Sequence, residues 1–328
     1  MLNADLTSND KLGGIISSDL FAMKEFIFRN VNSEHTELAA NIISHLIESG
    51  GKKIRPKLVF IICKMLDYSG NNSINVAAAV EFIHNATLLH DDVLDESDAR
   101  HGVKTANKIW GNKSSILVGD LLLTLAFQWL IECGNLNILS ILSEASHFLV
   151  RGEIKQMTTL FDPSTMRENY FDIIGEKTAS LFSACCEAAA IVSGSTNDET
   201  ERLKNFGFNF GMAFQIIDDV LDYTADQSTS GKQVGKDFFE GKVTLPAIIA
   251  YEKGYSEEKK FWQKCFSSAE RNFDQAMVYI NNHNAIHLSI KKAKHYINAA
   301  QDSISTFSDS IYKNALVDFL NISIERRM

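Results

Sequence analysis

The stretch EFIHNATLLHDDVLDESDARHG, residues Glu81–Gly102, places three carboxylates in an otherwise apolar segment. They are Asp91, Asp92 and Asp95, in DDxxD spacing. At roughly 100° per residue on an α-helix, His84, Asp91 and Asp95 lie within about 40° of one another on one face, with Asp92 one position round the turn. Carboxylate oxygens are the ligands that hard divalent cations such as Mg²⁺ prefer. The stretch therefore predicts a metal-binding helix.

A second DDxxD motif lies far downstream in FQIIDDVLDY. Its carboxylates are Asp218, Asp219 and Asp222, and the helical period places Gln215 on the same stripe as Asp218 and Asp222. The chain has 21 aspartates, so random placement gives two such motifs in roughly a few chains per thousand. The alternative, a pair of solvated helix ends, is weakened by this duplication and by the apolar flanks. We expect the two acidic helix ends to face each other and to hold several Mg²⁺ ions that bridge a diphosphate.

Three cations, Lys52, Lys53 and Arg55, precede a helix that Pro56 opens. The first amides of a helix and its dipole favour an anion, so this basic loop is a candidate phosphate site. Taken alone, such a loop is more often plain surface than a binding site. In the same way His84 alone is more often a satisfied core histidine than a ligand.

Composition excludes several classes of function. The 328 residues carry a formal charge of −9, which argues against nucleic-acid binding. Five cysteines without CxxC spacing argue against a disulfide framework or a zinc site and indicate a reduced, cytoplasmic setting. The N-terminus shows no secretory signal. The most apolar stretch, Ile116–Leu130, is interrupted by Asp120 and Gln128, so we predict a buried helix and no transmembrane segment.

Helical periodicity runs through the chain, and no sustained period-two alternation with β-branched residues is present. The fold class predicted is therefore all-α. With three prolines and no linker of Gly, Ser and Pro, residues 1–328 are expected to form a single domain, with about residues 1–16 outside its ordered part. The predicted helices include 17–33, 38–48, 116–131, 135–156, 168–193 and 197–223.

Five ordered motifs, GGKKIRP, HNATLLHDDVLDESDARHG, GEKTASLF, FQIIDDVLDY and GKDFFEGKVTLP, resemble those of the trans-isoprenyl diphosphate synthases, in particular the long-chain, octaprenyl-type branch. The resemblance covers about residues 20–325. It implies one large helical bundle around a central cavity. It also implies a Mg²⁺-dependent prenyltransferase that condenses isopentenyl diphosphate with an allylic diphosphate into a long all-trans polyprenyl diphosphate, for a quinone side chain. A homodimer is expected.

Position by position, the resemblance assigns roles to the charged and polar residues of these motifs. The metal ligands on the allylic diphosphate are Asp91 and Asp95, with Asp92 close behind, and a further Mg²⁺ is held by Asp218 with support from Asp219 and Asp222. The isopentenyl diphosphate pocket contains Lys52, Arg55 and His84. The allylic diphosphate is gripped by Arg100, Lys177, Lys232 and Lys242, with Lys236 nearby, and the developing carbocation is faced by oxygens of Thr178 and Gln215.

The chain departs from the family pattern after the first acidic motif, where Arg100-His101 stands in place of two arginines. Because a histidine titrates near neutral pH, we expect isopentenyl diphosphate binding to weaken with rising pH more than in an Arg-Arg relative. Product length in this family depends on residues four and five positions before the first aspartate. Here these are Thr87 and Ala86, both small, which favours a long product.

Other functions remain open at this stage. A short-chain synthase making farnesyl or geranylgeranyl diphosphate would share every motif. A class I terpene cyclase would share the fold, but its second metal motif usually follows an Asn/Ser/Glu pattern that this chain lacks. A non-catalytic partner subunit would be expected to have lost some of the acids or lysines, and this chain retains them.

Overall fold

The computed structural model describes residues 14–34, 36–49, 51–100, 102–224, 234–267 and 271–325. Most of these residues are helical. The helices are α1 (Ser17–Glu34), α2 (Glu37–Glu48), α3 (Ile54–Met65), α4 (Asn72–Leu94), α5 (Ala106–Trp110), α6 (Asn112–Glu132), α7 (Leu136–Thr159), α8 (Arg167–Ile174), α9 (Ser180–Val192), α10 (Asn197–Thr224), α11 (Lys236–Glu240), α12 (Leu245–Lys253), α13 (Ser256–Ser267), α14 (Phe273–Asn282), α15 (Ala285–Ser303) and α16 (Ile311–Glu325).

The all-α prediction is confirmed, and the structure adds two local features that the sequence did not predict. Strands β1 (Ala99–Arg100) and β2 (Val103–Lys104) pair in an antiparallel hairpin directly after the first acidic motif. Between α8 and α9, the segment Gly175–Ala179 forms a π-helical turn. Both features contain residues of the predicted site.

The chain divides into two compact units, each built from three separate segments. The first unit comprises Met1–Ser146, Ala184–Lys204 and Phe307–Asp318. Helix α4 lies at its centre and packs against α6, α3 and α1. Its middle part, Val76–Val80 with Phe82 and Ile83, is apolar and fully buried, which is typical of a central helix. The ring of Trp129 on α6 lies 4.6 Å from that of Phe82 on α4, measured between centroids.

The second unit comprises His147–Ser183, Asn205–Thr306 and Phe319–Met328. In this unit α12 packs against α15 and α14. Phe182, Phe206 and Phe210 are fully buried, with ring centroids of Phe182 and Phe210 5.1 Å apart in an edge-to-face arrangement. The assignment of residues 1–328 to a single domain stays a prediction. Residues 1–13 lie outside the described part of the chain, whereas Ile16 is fully buried.

Helix α6 contains the apolar stretch that the sequence singled out. By length and composition alone it is long and apolar enough to cross a membrane, and 44% of its most apolar window is buried inside the protein. Core helices of soluble proteins pass the same test. One face, with Leu122, Leu125 and Trp129, is buried, whereas Leu117 and Ile131 are 67% and 61% exposed. The helix therefore has a core face and a surface face, on which the exposed Leu117 and Ile131 alternate with Asp120 and Gln128.

Candidate functional site

The first acidic motif occupies the C-terminal end of α4, in the first unit. His84, Thr87, Asp91 and Asp95 are all partly exposed, whereas Asn85, Ala86, Leu89 and Asp92 between them are buried. The positions i, i+3, i+7 and i+11 form one stripe, as the helical period predicts. The helix ends at Leu94, and the backbone amide of Asp95 donates to the carbonyl of Asp91 at 2.8 Å. Two carboxylates and a histidine thus share one accessible face.

Asp92 lies one position round the helix from Asp91, on a buried side of this helix end, and is only 4% exposed. Its Oδ1 accepts hydrogen bonds from Nε of Arg100 at 3.0 Å and from Nη2 at 2.8 Å. The hairpin β1–β2 brings Arg100 back to the motif, and Nδ2 of Asn107 donates to the Asp92 carbonyl at 3.1 Å. Asp92 is therefore engaged as the partner of an arginine, while the grip of Arg100 on a diphosphate stays a prediction.

The basic loop before α3 is joined to α4 through a buried carboxylate. Lys53 has a left-handed backbone (φ 46°), and its Nζ lies 3.4 Å from Oε1 of Glu81, which is 6% exposed. Burial lowers the pKa of Arg55, and the nearby Glu81 opposes that shift. Lys52 is exposed. The loop thus presents an exposed lysine beside two cations that are associated with Glu81.

The second acidic motif lies near the end of α10, in the second unit. Asp218 is exposed, Gln215 and Asp222 are partly exposed, and Asp219 is 4% exposed. Both oxygens of Asp219 are hydrogen-bonded, since Oδ2 accepts from the hydroxyl of Tyr170 at 2.6 Å and Oδ1 from Nε2 of Gln215 at 2.7 Å. Asp219 therefore faces inward, away from the accessible stripe of the motif.

Three carboxylates of the second unit are crowded together. Burial, and next the carboxylate of Asp237, raises the pKa of Asp222 to about 7. Burial and the same neighbour raise the pKa of Asp219 well above its ordinary value. The backbone amide of Asp237 also donates to Oδ2 of Asp222 at 3.0 Å. When these partly buried acids are ionised, their mutual repulsion exceeds what the surroundings neutralise. A bound cation would reduce that repulsion.

The donor set fits a hard divalent cation, because the second motif offers carboxylate oxygens. Within the described residues, no three His, Cys, Asp or Glu side chains converge on a ready-made metal position. Mg²⁺ does not require one, since it is usually held by one or two carboxylates, with water and substrate phosphates as the other ligands. The metal roles of the six aspartates stay predictions.

Lys177 and Thr178 lie in the π-helical turn Gly175–Ala179. Nζ of Lys177 donates to Oε1 of Gln156 at 2.7 Å and forms an ion pair with Glu153, both on α7. The hydroxyl of Thr178 donates to Oε1 of Gln215 at 2.8 Å. The turn therefore places an ammonium group and a hydroxyl next to the second motif.

The remaining predicted residues fall into three groups. Lys236 and Lys242 both pair with Glu240, at 3.3 and 2.8 Å. Ala86 is fully buried on α4, whereas Thr87 is partly exposed. His101 and Lys232 lie outside the described residues, so their predicted roles remain untested.

Sequence reasoning missed several residues that support the site. They are Tyr170, Asp237, Glu81 and Gln156. Asp237 lies inside the quoted GKDFFEGK motif, and Glu81 is a lone carboxylate in an apolar helix, so both carried a signal. Nothing near Tyr170 or Gln156 in the sequence marks them, because their partners are 49 and 21 positions away.

Comparison with known proteins gives consistent findings. The family model described as polyprenyl synthetase matches residues 36–281. The chain is 37% identical to octaprenyl diphosphate synthase of Haemophilus influenzae, over 99% of either sequence. It is similar in structure to a decaprenyl diphosphate synthase from Rhodobacter capsulatus (TM-score 0.93, 36% identity, 98% of this chain and 99% of that one). It also resembles a polyprenyl synthase from Caulobacter crescentus complexed with calcium and isoprenyl diphosphate (TM-score 0.91, 34% identity, 98% of each chain).

Proposed function

Since this chain belongs to the polyprenyl synthetase family, we propose that it condenses isopentenyl diphosphate with an allylic diphosphate to make a long all-trans polyprenyl diphosphate. The relatives named octaprenyl, nonaprenyl and decaprenyl diphosphate synthase support a long product. Quinone side chains are polyprenyl groups of this kind, and we assign the product to that use. In each cycle the C–O bond to the allylic diphosphate breaks, a C–C bond to isopentenyl diphosphate forms, and a proton and diphosphate leave.

The observation that carries the proposal is the crowded group of acids around Asp222. Burial and mutual repulsion raise the pKa of Asp219, Asp222 and Asp237. Such a group attracts divalent cations, and the Caulobacter relative is described in complex with calcium and isoprenyl diphosphate. We propose that the ion is Mg²⁺. Asp91 and Asp95 of the first motif would ligate Mg²⁺ on the allylic diphosphate, and Asp218 of the second, supported by Asp219 and Asp222, would hold a further Mg²⁺. When bound, Mg²⁺ neutralises the charge that develops on a departing diphosphate.

The chain's own residues have separable tasks in this proposal. Lys52 and Arg55 bind the diphosphate of isopentenyl diphosphate, with His84 on the neighbouring face of α4. Lys177 and Lys242 bind the allylic diphosphate. The oxygens of Thr178 and Gln215 face the allylic carbon on which positive charge develops. Preorganised dipoles of this kind stabilise developing charge without having to reorganise during the reaction.

We further propose a cytoplasmic homodimer. All five cysteines are free thiols, which agrees with a reducing compartment. The exposed apolar side chains Ile116, Leu117 and Ile131 on the surface face of α6 mark the place where a second copy of the chain would dock.

The decisive experiment incubates the purified protein with Mg²⁺, farnesyl diphosphate and labelled isopentenyl diphosphate, and then sizes the dephosphorylated products. A ladder ending in one long species is expected. Products of fifteen or twenty carbons would still demonstrate prenyl transfer but would indicate a short-chain synthase. No incorporation with either farnesyl or geranylgeranyl primer would indicate a non-catalytic subunit.

Two variants complete this experiment. Asp91→Ala combined with Asp95→Ala should lower incorporation by about 10²–10³-fold, since it removes the predicted ligands from the accessible face of α4. Asp98→Asn is the matched control, because Asp98 is an exposed carboxylate of the same segment that pairs with Lys108 and is not one of the three DDxxD carboxylates. The control should retain full activity.

A further inference from the structure

Tyr170 is a buried hydroxyl that none of the roles above uses. It lies on α8 and is 4% exposed. Its hydroxyl donates to Oδ2 of Asp219, 49 positions along the chain, and the 2.6 Å distance is typical of a hydroxyl that donates to a carboxylate. Burial raises the pKa of Tyr170 well above its ordinary value, and Asp219 raises it further, so the hydroxyl retains its hydrogen at neutral pH. Tyr170 is therefore a permanent donor behind the second motif.

The hydrogen bond from Tyr170 is the first of three in series. Tyr170 donates to Oδ2 of Asp219, Nε2 of Gln215 donates to Oδ1 of the same carboxylate at 2.7 Å, and the Thr178 hydroxyl donates to Oε1 of Gln215 at 2.8 Å. A carboxamide can be turned over, which exchanges its oxygen and nitrogen. Turning Gln215 would place its oxygen against Oδ1 of Asp219, where two acceptors repel. Asp219 thus selects one orientation of the amide.

The selected orientation decides which atoms face the substrate. With Oε1 of Gln215 directed to Thr178, the hydroxyl hydrogen of Thr178 is used in that bond. The lone pairs of the Thr178 oxygen then point away from Gln215. In the turned orientation, Gln215 would present an NH₂ group instead, whose partial positive charge opposes a developing carbocation.

We propose that Tyr170 is a positioning residue for prenyl transfer, which acts by fixing Asp219 and, through Asp219, the orientation of Gln215 and Thr178. This inference rests on the function proposed above. Loss of the Tyr170 hydroxyl leaves Asp219 with one donor fewer, so that the carboxylate can rotate and the amide is no longer held. The network contains none of the lysines and arginines assigned to the substrate diphosphates, and saturating Mg²⁺ in the test offsets any weakening of the support that Asp219 gives to a metal ion.

The test is Tyr170→Phe in the full-length enzyme with saturating Mg²⁺ and allylic primer. The turnover number should fall by about tenfold, the ratio that corresponds to one hydrogen bond to a charged group. The KM for isopentenyl diphosphate should stay within about twofold of the wild-type value. Tyr296→Phe is the matched control, since Tyr296 is a partly buried tyrosine of the same unit, its ring lies 6.3 Å from that of Phe171, and it lies outside the acidic motifs. The control should leave turnover unchanged.

A double-variant cycle separates positioning from a general structural effect. If Tyr170 acts through Gln215, then adding Tyr170→Phe to Gln215→Ala should lower turnover by less than about twofold further. An equal tenfold loss in both backgrounds would overturn the inference, as would a Tyr170→Phe enzyme with normal turnover. Asp219→Asn should lower turnover as Tyr170→Phe does, because the asparagine amide can present either oxygen or nitrogen to Gln215 and no longer selects one orientation. An inactive wild type would instead refute the proposed function, and the inference with it.

Discussion

Gly152 on α7 lies against Lys177 so closely that a β-carbon on Gly152 would lie 2.7 Å from the backbone nitrogen of Lys177. On the other side of the π-helical turn, a β-carbon on Gly211 would lie 2.6 Å from the Cα of Ala179. Such distances are too short for any side chain. The turn that carries Lys177 and Thr178 is therefore held between two helices at positions where only glycine fits. Single π-turns inside helices are frequent at functional sites.

The first prediction concerns this contact. Gly152→Ala should displace the π-helical turn, lower the free energy of unfolding by about 1–3 kcal/mol, and reduce turnover, because Lys177 moves with the backbone. Urea unfolding and the elongation assay measure the two effects. Gly175→Ala is the control, since its β-carbon would meet Met212 and Phe208 only at 3.8 Å, an ordinary contact. Unchanged turnover and stability in Gly152→Ala would contradict the close packing.

The second prediction concerns the pH dependence of stability. Burial, and then Asp237, raises the pKa of Asp222 to about 7, whereas an unfolded aspartate titrates near about 3.9. Between these values the folded state binds more protons than the unfolded state. The contribution of Asp222 to the free energy of unfolding is therefore largest below about pH 4 and is lost as pH rises to about 7. Urea unfolding of the metal-free protein from pH 4 to 8 measures it.

The variant Asp222→Asn isolates this contribution, because an amide does not titrate. Its stability relative to wild type should increase as pH rises through that window. A difference that stays constant with pH would show that Asp222 is not perturbed.

The third prediction concerns product length. Ala86→Phe should shorten the polyprenyl product, since a phenyl ring would fill space beside the first acidic motif. Chromatography of dephosphorylated products measures length, and length does not depend on how much enzyme is folded. Ala79→Phe is the control, because Ala79 is equally buried on the same helix two turns earlier and should overpack the core by a similar amount. If both variants made the wild-type product, the assignment of Ala86 would be wrong.

The fourth prediction concerns the homodimer. Leu117→Lys should weaken dimerisation, because it replaces an apolar side chain, 67% exposed on the surface face of α6, by a charge. Phe21→Lys is the control, as Phe21 is 65% exposed on α1 and lies outside that face. Sedimentation velocity over a range of concentrations measures the effect. A wild-type protein that sediments as a monomer at all concentrations would refute the dimer itself.

Helix bounds were largely predictable from the sequence. The periodic segment 197–223 corresponds to α10, Asn197–Thr224, and 116–131 lies within α6, Asn112–Glu132. Periodicity works here because each helix buries one stripe or is buried throughout. The hairpin at Arg100 was missed because two-residue strands have no periodic signal. The π-helical turn was missed because it depends on contacts of Gly152 and Gly211 with the turn.

The sequence by itself determined the all-α class, the two DDxxD motifs and the stripe of His84, Asp91 and Asp95, since these follow from local spacing along a helix. Only the tertiary structure decided which acid of each motif is buried. Asp92 is held by Arg100, and Asp219 by Tyr170 and Gln215. Burial, pKa and hydrogen-bond partners depend on which distant elements pack against a residue, and the spacing of residues within one helix does not specify those elements.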